Sequence, residues 1–265
     1  AIAQEAGIYR EGDRVLSGDE LESMSPEELD RLLPTTTVFA RVTPKHKLRI
    51  IDALKNRGEV VAMTGDGVND APALRAADIG IALGSGTDVA KEAADLVLLD
   101  DSFSIITAAI KQGRIAFDNI RKVAIYLLSN SFTEFIIVMA SLVLKMPLPI
   151  TAVQILWANL VEDGLPNFAL AFEPGDDAIM KRRPLKRKEP ILDPEGMSLV
   201  FVFGVIRDTL LLTIFMAFYG WSNLSLIHIQ TLMFAALGTD SLIYVFSIKS
   251  LRSSLLHTRL LDNWY

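Results

Sequence analysis

The segment from Val60 to Asp70 reads VVAMTGDGVND and indicates the fold class of the first part of the chain. Its first residues are apolar, which is typical of a short buried strand. The Gly, Asp and Asn residues that follow favour a turn. An acidic loop after such a strand is typical of a parallel α/β sheet, which binds ligands at the carboxyl ends of its strands. Taken alone, the composition also fits an ordinary Asp/Asn/Gly turn.

Strand-like and helix-like segments alternate around this loop. Apolar runs at 78–83 and 96–99 predict two further strands. Thr43 suits the N-cap of a helix and Pro44 its first position, and this helix is expected to end near residue 58. Helices are also expected from about Pro72 and over 88–94. The alternation predicts a parallel sheet, and we assign residues 1–122 to a soluble α/β domain.

The loop itself carries groups suited to phosphate and metal chemistry. Gly65 and Gly67 allow a tight turn and a close approach of the backbone to a ligand. Asp66 and Asp70 lie four residues apart, and paired carboxylates without His or Cys suit Mg²⁺, which also binds substrate phosphate. Lys47 has the charge to offset that of a phosphoryl group, although a lysine on a solvated helix face is the simpler interpretation of this residue.

The composition indicates a membrane protein. Hydrophobic residues make up 51% of the 265 residues and the mean hydropathy is +0.34, which prompts a search for membrane spans. The net charge of −6 makes nucleic acid an unsuitable partner. The chain has no cysteine and only three scattered histidines, which excludes a disulfide framework and argues against a His/Cys metal cluster.

The second half, 123–265, is predicted to be an α-helical membrane domain with four transmembrane helices. Each apolar stretch is long enough to cross a bilayer core of about 30 Å, and four buried helices of a soluble protein are the alternative. The loop 173–197 is basic, which places it, the C-terminus and the domain 1–122 in the cytoplasm by the positive-inside rule. The predicted spans are 123–144, 151–172, 198–219 and 226–248.

Carboxylates within these spans indicate a cation site, because ionisable groups inside a membrane are costly and commonly functional. Asn130 and Glu134 lie four residues apart and are expected to share a helix face. Asn159, Glu162 and Asp163 have spacing typical of a second such face. Gly164 and Pro166 interrupt that helix and free carbonyl oxygens, which together with carboxylates suit Ca²⁺. Arg207 and Asp208 in the third stretch point about 100° apart on a helix and need not pair with each other. Arg207 neutralising a carboxylate on another helix and Asp208 acting as a ligand are both open, and a structural ion pair is favoured over a ligand site.

Two long motifs resemble P-type cation-transporting ATPases of the type II, calcium-pump-like branch. One begins VFARVTPKHK at Val38 and continues as MTGDGVNDAPALRAADIGIALGSGTDVAKEAADLVLLDD from Met63, and the other is ILWANLVEDGLP from Ile155. The first resembles the phosphorylation domain of these pumps, which belongs to the haloacid-dehalogenase-like superfamily. The resemblance therefore implies part of a Rossmann-like α/β domain followed by membrane helices.

The resemblance also implies roles for individual residues of the phosphate site. Asp66 is expected to coordinate the catalytic Mg²⁺ together with Asp70, while Asn69 and Asp70 support the phosphoryl-aspartate and Lys47 contacts the phosphoryl group. Thr64, Gly65 and Gly67 are expected to border the bound group. ATP is the substrate that this family implies.

For the transported cation, the resemblance implies ligands at Asn130, Glu134, Asn159, Glu162, Asp163 and Asp240. Two positions depart from the calcium-pump pattern, which has Asn at Ser131 and Thr at Glu162. The site is therefore more acidic than that pattern, so Ca²⁺ is favoured while Na⁺, Mn²⁺ and H⁺ stay open.

The family's nucleophile, the Asp of an Asp-Lys-Thr-Gly-Thr motif, is not found in this sequence. The resemblance implies that the chain is a C-terminal portion lacking the N-terminal part of the pump, and we expect it to be inactive alone. A split subunit or regulator, a soluble haloacid-dehalogenase-like phosphatase and a simple truncation are the alternatives. We expect a multi-pass protein of a prokaryotic plasma membrane.

Overall fold

The computed structural model describes residues 2–5, 7–185 and 189–249. The chain divides into two compact units, one of residues 1–109 and 184–189 and the other of 110–183 and 190–265. Several of the basic residues on which the predicted orientation in the membrane depends lie outside the described residues: Lys186, Arg187, Lys188, Arg252 and Arg259.

The first unit begins with a two-stranded parallel sheet that the sequence patterns did not reveal. Leu16, Leu21, Leu29 and Leu33 are buried together and form its core. The charged residues between these leucines obscured the periodicity, because the helices are short and half exposed. The elements are α1 (Ile2–Glu5), β1 (Arg14–Ser17), α2 (Gly18–Ser23), α3 (Pro26–Leu32) and β2 (Thr36–Ala40), with β1 and β2 paired.

The rest of the first unit is the predicted parallel sheet. Its strands lie in the order β3-β4-β5, and both pairings are parallel, which confirms the prediction. Thr43 caps α4 as expected, since its hydroxyl accepts from the amide of His46 at 3.4 Å. The elements are α4 (Pro44–Asn56), β3 (Ala62–Gly65), α5 (Ala71–Ala76), β4 (Ile79–Ala82), α6 (Asp88–Ala93) and β5 (Leu96–Val97).

The second unit is helical. Three of its helical runs, 104–143, 194–221 and 226–249, are long and apolar enough to cross a membrane. The 194–221 run contains a π-helical turn at Leu199–Phe203. The elements are α7 (Phe103–Val143), α8 (Ala152–Trp157), α9 (Gly164–Ala171), α10 (Pro194–Ser198), α11 (Gly204–Trp221) and α12 (Leu226–Lys249).

The stretch predicted as the second span, 151–172, is divided into short pieces. A π-helical turn at Ala158–Glu162 follows α8, and α9 begins only at Gly164. The amide of Asp163 bonds to the carbonyl of Ala158 at 2.9 Å, five residues back. Such a wide turn changes which side chains share a face. The interruption was predicted at Gly164 and Pro166, and the structure places it one turn earlier.

Apolar side chains from α7, α11 and α12 meet in one core of this unit. Ile137, Leu211, Phe215 and Met233 are among its fully buried residues. This packing holds three helices together and fixes the polar side chains that lie one or two turns away on the same helix faces.

Candidate phosphate and cation sites

The loop after β3 is held in place by backbone hydrogen bonds to the neighbouring strand-to-helix connection. The carbonyl of Asp66 accepts from the amide of Thr87 at 2.8 Å, and that of Gly65 accepts from Leu83 at 3.2 Å. A Cβ atom at Gly65 would lie 2.5 Å from the Cβ of Asp70, so only glycine lets the loop fold back this closely.

Lys47 on α4 and Asp70 at the end of this loop form an ion pair. The Nζ of Lys47 lies 2.5 Å from Oδ1 of Asp70. The other oxygen, Oδ2, accepts from the amides of Asp66 and Gly67 at 3.4 and 3.5 Å. Burial by itself raises the pKa of Asp70, but the ammonium and the two amides outweigh it and lower the pKa below its usual value. Asp70 is therefore a carboxylate held in its charged form.

Asp66 and Asn69 face solvent beside this pair. Both are exposed, and among the described residues the Asp66 carboxylate has no ion-pair partner. No group of three or more His, Cys, Asp or Glu side chains is arranged to hold a metal in the described part of the chain. A single free carboxylate still fits Mg²⁺, which keeps several waters and binds through few protein ligands. Asp70, predicted as the second metal ligand, is paired with Lys47, and its binding of a metal stays a prediction.

A second cluster surrounds a small cavity in the helical unit. The cavity has a volume of about 20 Å³, enough for roughly one water-sized sphere. All of the predicted cation ligands except Asn159 border it. Its lining residues are Asn130, Thr133, Glu134, Ala158, Glu162, Asp163, Leu237, Asp240 and Ser241.

Asp163 is the most buried carboxylate of this cavity, with 5% of its surface exposed. Its Oδ1 atom accepts from the amide of Asn130 at 2.8 Å and from the hydroxyls of Tyr126 and Ser241 at 3.2 Å each. These donors come from α7 and α12, so they orient the carboxylate from two helices. All three of these hydrogen bonds are made to the same oxygen of Asp163.

The other acidic residues approach from α7 and the π-helical turn. Glu134 accepts from the side chain of Asn159 at 2.8 Å, so Asn159 orients a carboxylate of the cavity although it does not line the cavity itself. Asn159 was predicted to share a face with Asp163; it is exposed whereas Asp163 is buried. Glu162 packs against α12 at Gly238, where an added Cβ would lie 2.8 Å from Oε1.

Asp240 lies beside a positively charged side chain of the protein, the guanidinium of Arg207. The Nε atom of Arg207 lies 3.1 Å from Oδ2 of Asp240 and 3.9 Å from Oδ1 of Asp208. Asp208 also accepts from the hydroxyl of Thr133 at 2.6 Å. The carboxylate predicted as an ion ligand in the last helix is thus paired with an arginine.

Comparison with known proteins assigns both parts of the chain. Residues 147–265 match the family model described as "Cation transporting ATPase, C-terminus". Residues 1–78 and 48–109 match two models described as "haloacid dehalogenase-like hydrolase". A "Calcium-transporting ATPase" of Bacillus subtilis is 42% identical over 251 residues, which cover 94% of this chain. This chain belongs to the P-type cation-transporting ATPases.

Other relatives of this ATPase family extend beyond bacteria. "Calcium-transporting ATPase 1" of Bacillus cereus is 40% identical over 281 residues and covers 100% of the chain. The human "Calcium-transporting ATPase type 2C member 1" is 41% identical over 207 residues, covering 78% of the chain. The chain spans only part of the length of these relatives: 28% of the Bacillus subtilis protein, 32% of the Bacillus cereus protein and 22% of the human protein.

Several polar residues that line the cavity or bond to its carboxylates were not predicted from the sequence. Tyr126, Asn130 and Thr133 lie at helical spacing on one face of α7, and only Asn130 was singled out. Ser241 was overlooked beside Asp240. A search for polar side chains at i, i+4 and i+7 within the apolar stretches would have found the face on α7, but nothing local indicates which carboxylate each of them meets.

Proposed function

We propose that this chain forms part of an ATP-driven pump that moves Ca²⁺ across a membrane through an aspartyl-phosphate intermediate. The observation that carries this proposal is the carboxylate-lined cavity inside a unit made of long apolar helices. Charged groups among membrane-spanning helices are energetically costly, so their presence there indicates a function. The names of the relatives favour Ca²⁺ as the transported ion.

The cavity has the ligand chemistry that Ca²⁺ prefers. Glu134, Glu162 and Asp163 supply carboxylate oxygens, and Asn130 supplies an amide. Ca²⁺ takes several oxygen ligands in flexible geometry, and carboxylates serve with one or both oxygens. Asn159 keeps Glu134 turned toward the cavity, which reduces the entropy lost on binding.

The loop of the first unit is proposed to be the metal-binding half of the phosphorylation site. Asp66 would hold Mg²⁺, and Lys47, kept in place by Asp70, would face the phosphoryl group. Thr64, Gly65, Gly67 and Asn69 border the same space. Bound Mg²⁺ would neutralise negative charge on the transferred phosphoryl group. The aspartyl nucleophile must be supplied from outside this sequence, in which its motif is missing.

We also propose that the chain crosses the membrane four times, with residues 151–172 as a broken second span. Irregular backbone at membrane depth is tolerated where it lines a cavity, and broken helices are a recurring feature of ion sites in transporters. The π-helical turn at Ala158–Glu162 interrupts the regular helix, and Ala158, Glu162 and the neighbouring Asp163 line the cavity. Residues 1–122 and the loop 173–197 are assigned to the cytoplasm, and the bacterial relatives favour a prokaryotic plasma membrane.

Binding of radioactive Ca²⁺ to the full 265-residue chain in lipid nanodiscs tests the cation site. We expect saturable binding, weakened about tenfold or more by Glu134→Gln or Asp163→Asn, since each removes a charged ligand. Glu92→Gln is the matched control, because Glu92 is an exposed carboxylate of α6. Na⁺ and Mn²⁺ serve as competitors. Absence of saturable Ca²⁺ binding by the unaltered chain would refute the proposal.

A second assay tests the phosphate site. The chain alone is expected to form no acid-stable phosphoprotein from radioactive ATP, because it supplies no aspartyl nucleophile. A complete pump polypeptide that includes this chain is expected to form one, and Asp66→Asn in it should abolish it. A phosphoprotein formed by the chain alone would contradict this assignment and would favour an independent phosphatase-like activity.

A further inference from the structure

Arg207 is the one arginine described within α11, and it is enclosed by side chains of three helices. Its side chain is 12% exposed. Its guanidinium donates to the carbonyl of Ser129 at 3.2 Å and to the hydroxyl of Thr133, both on α7. On the α12 side it lies 4.5 Å from the ring centroid of Tyr244, a cation–π contact. These contacts fix the charge in one place.

A guanidinium remains protonated in proteins, so its burial requires a nearby negative charge. Asp240 is the nearer carboxylate, at 3.1 Å, and Asp208 follows at 3.9 Å. The approach of Asp240 is not aligned as a hydrogen bond. Among the described residues, Nε and Nη1 of Arg207 and Oδ2 of Asp208 are buried without a hydrogen-bond partner. Attraction between charges, more than hydrogen bonding, therefore holds Asp240 on Arg207.

The cavity offers little room beyond a single ion. Its volume is about 20 Å³, and Asp240, the carboxylate paired with Arg207, is one of its lining residues. The remaining acidic residues at the cavity are Glu134, Glu162 and Asp163. These three supply enough oxygens for one Ca²⁺.

We propose that Arg207 is a built-in counter-cation that withholds Asp240 from the transported ion and limits the cavity to one Ca²⁺. Arg207 thereby sets how many ions bind, although it touches none of them. This inference rests on the proposed function, since it assumes that the cavity binds Ca²⁺. Loss of the arginine charge would free Asp240 and Asp208 to hold a second ion.

The first test counts Ca²⁺ bound per chain in nanodiscs by flow dialysis. The unaltered chain and Arg207→Lys, which keeps the charge, should bind about one Ca²⁺, and Arg207→Gln about two, since the freed carboxylates suit Ca²⁺. Thr209→Ala is the control, because Thr209 is exposed on the same helix and its hydroxyl donates to the carbonyl of Val205 on that helix. A folded Arg207→Gln chain that binds the same number as the unaltered chain would overturn the inference.

The second test is a double-mutant cycle. It distinguishes Asp240 as the partner of Arg207 from Asp240 as an ion ligand, even if the single variant Arg207→Gln does not fold. Asp240→Asn alone leaves an unneutralised guanidinium near the cavity and should weaken Ca²⁺ binding by about tenfold or more. Adding Arg207→Gln removes that charge and should restore binding of about one Ca²⁺ with near-original affinity. If Asp240 were a direct ligand of the ion, the double variant would stay as weak as Asp240→Asn.

These outcomes separate the inference from the proposed function. Ca²⁺ binding by the unaltered chain that the double variant fails to recover would overturn the role of Arg207 and leave the cation site standing. No Ca²⁺ binding by the unaltered chain would refute the proposed function and the inference with it.

Discussion

At the scale of single residues, both sites depend on a carboxylate paired with a fixed cation. Lys47 holds Asp70 at the edge of the first unit, where its own side chain is 29% exposed. Arg207 holds Asp240 among apolar helices at 12% exposure. The lysine therefore has solvent from which a phosphoryl group can approach, whereas the arginine is surrounded and acts through its charge alone.

Replacing Asp70 by Asn should destabilise the loop after β3 by about 1.5–3 kcal/mol at pH 7, the usual contribution of a hydrogen bond to a charged group. Because the pKa of Asp70 is lowered in the folded state, its contribution is fully present above the ordinary carboxyl pKa. It is lost as the pH falls through the lowered value. Hydrogen exchange of residues 62–70 in the two chains, compared from pH 7 downward, measures this difference.

Asp52→Asn is the control for this experiment, since Asp52 is an exposed carboxylate on the same helix as Lys47. It should leave exchange of residues 62–70 unchanged at every pH. A difference between Asp70→Asn and the unaltered chain that persisted undiminished at the lowest pH would show that charge is not the cause.

At the scale of elements, local chemistry sets where regular helices begin, and packing decides where they break. The start of α4 follows from Thr43 and Pro44, which were recognised from sequence. The π-helical turn at Ala158–Glu162 was not, because no residue type demands it. It places Asp163 in the core while Asn159 stays exposed, and this depends on contacts with α7 and α12.

Thr43→Ala should destabilise α4 by about 1 kcal/mol, the typical loss for an N-cap side chain. The hydroxyl accepts from the amide of His46, and the amide of Thr43 donates to the ring of His46 at 3.3 Å. The alanine removes the first of these bonds. Hydrogen exchange of the first turn of α4 provides the measurement, and Thr43→Ser, which keeps the hydroxyl, should match the unaltered chain. Equal exchange in Thr43→Ala and Thr43→Ser would mean that the cap contributes nothing.

At the scale of the whole molecule, polarity separates the two units. Residues 123–265 contain the long apolar stretches, and three of the described helical runs reach membrane-spanning length. The fourth predicted crossing, 151–172, consists of short pieces, and it requires α8, the π-helical turn and α9 to span the membrane together. Whether the chain crosses there determines on which side of the membrane every later segment lies.

Thiol labelling in intact cells tests this crossing, and the absence of native cysteine makes a single introduced thiol unambiguous. A membrane-impermeant maleimide should label Lys145→Cys and Asn223→Cys from outside, and Lys181→Cys only after permeabilisation. All three positions are exposed. If residues 151–172 do not cross, Lys181→Cys will label together with Lys145→Cys, and Asn223→Cys will behave oppositely. That second pattern would refute the four-span arrangement.

The β3–loop–α5 arrangement, the parallel sheet and the apolar helices could be predicted from sequence patterns alone. The same patterns also indicated the acidic residues at the two sites. These features follow from local causes. A strand ends where Gly65 and Asp66 favour a turn, and the length and composition of an apolar stretch are enough to predict a membrane-spanning helix.

Which charged groups meet depends on the packing of elements that are far apart in the sequence. Lys47 and Asp70 are 23 residues apart, and the residues that orient Asp163 lie 37 residues before it (Tyr126) and 78 after it (Ser241). The sequence allowed Asp240 to be an ion ligand and left the partner of Arg207 open. Packing of α7, α11 and α12 brings the two side chains together, because the pairing of buried charges depends on distances between helices, which no local pattern encodes.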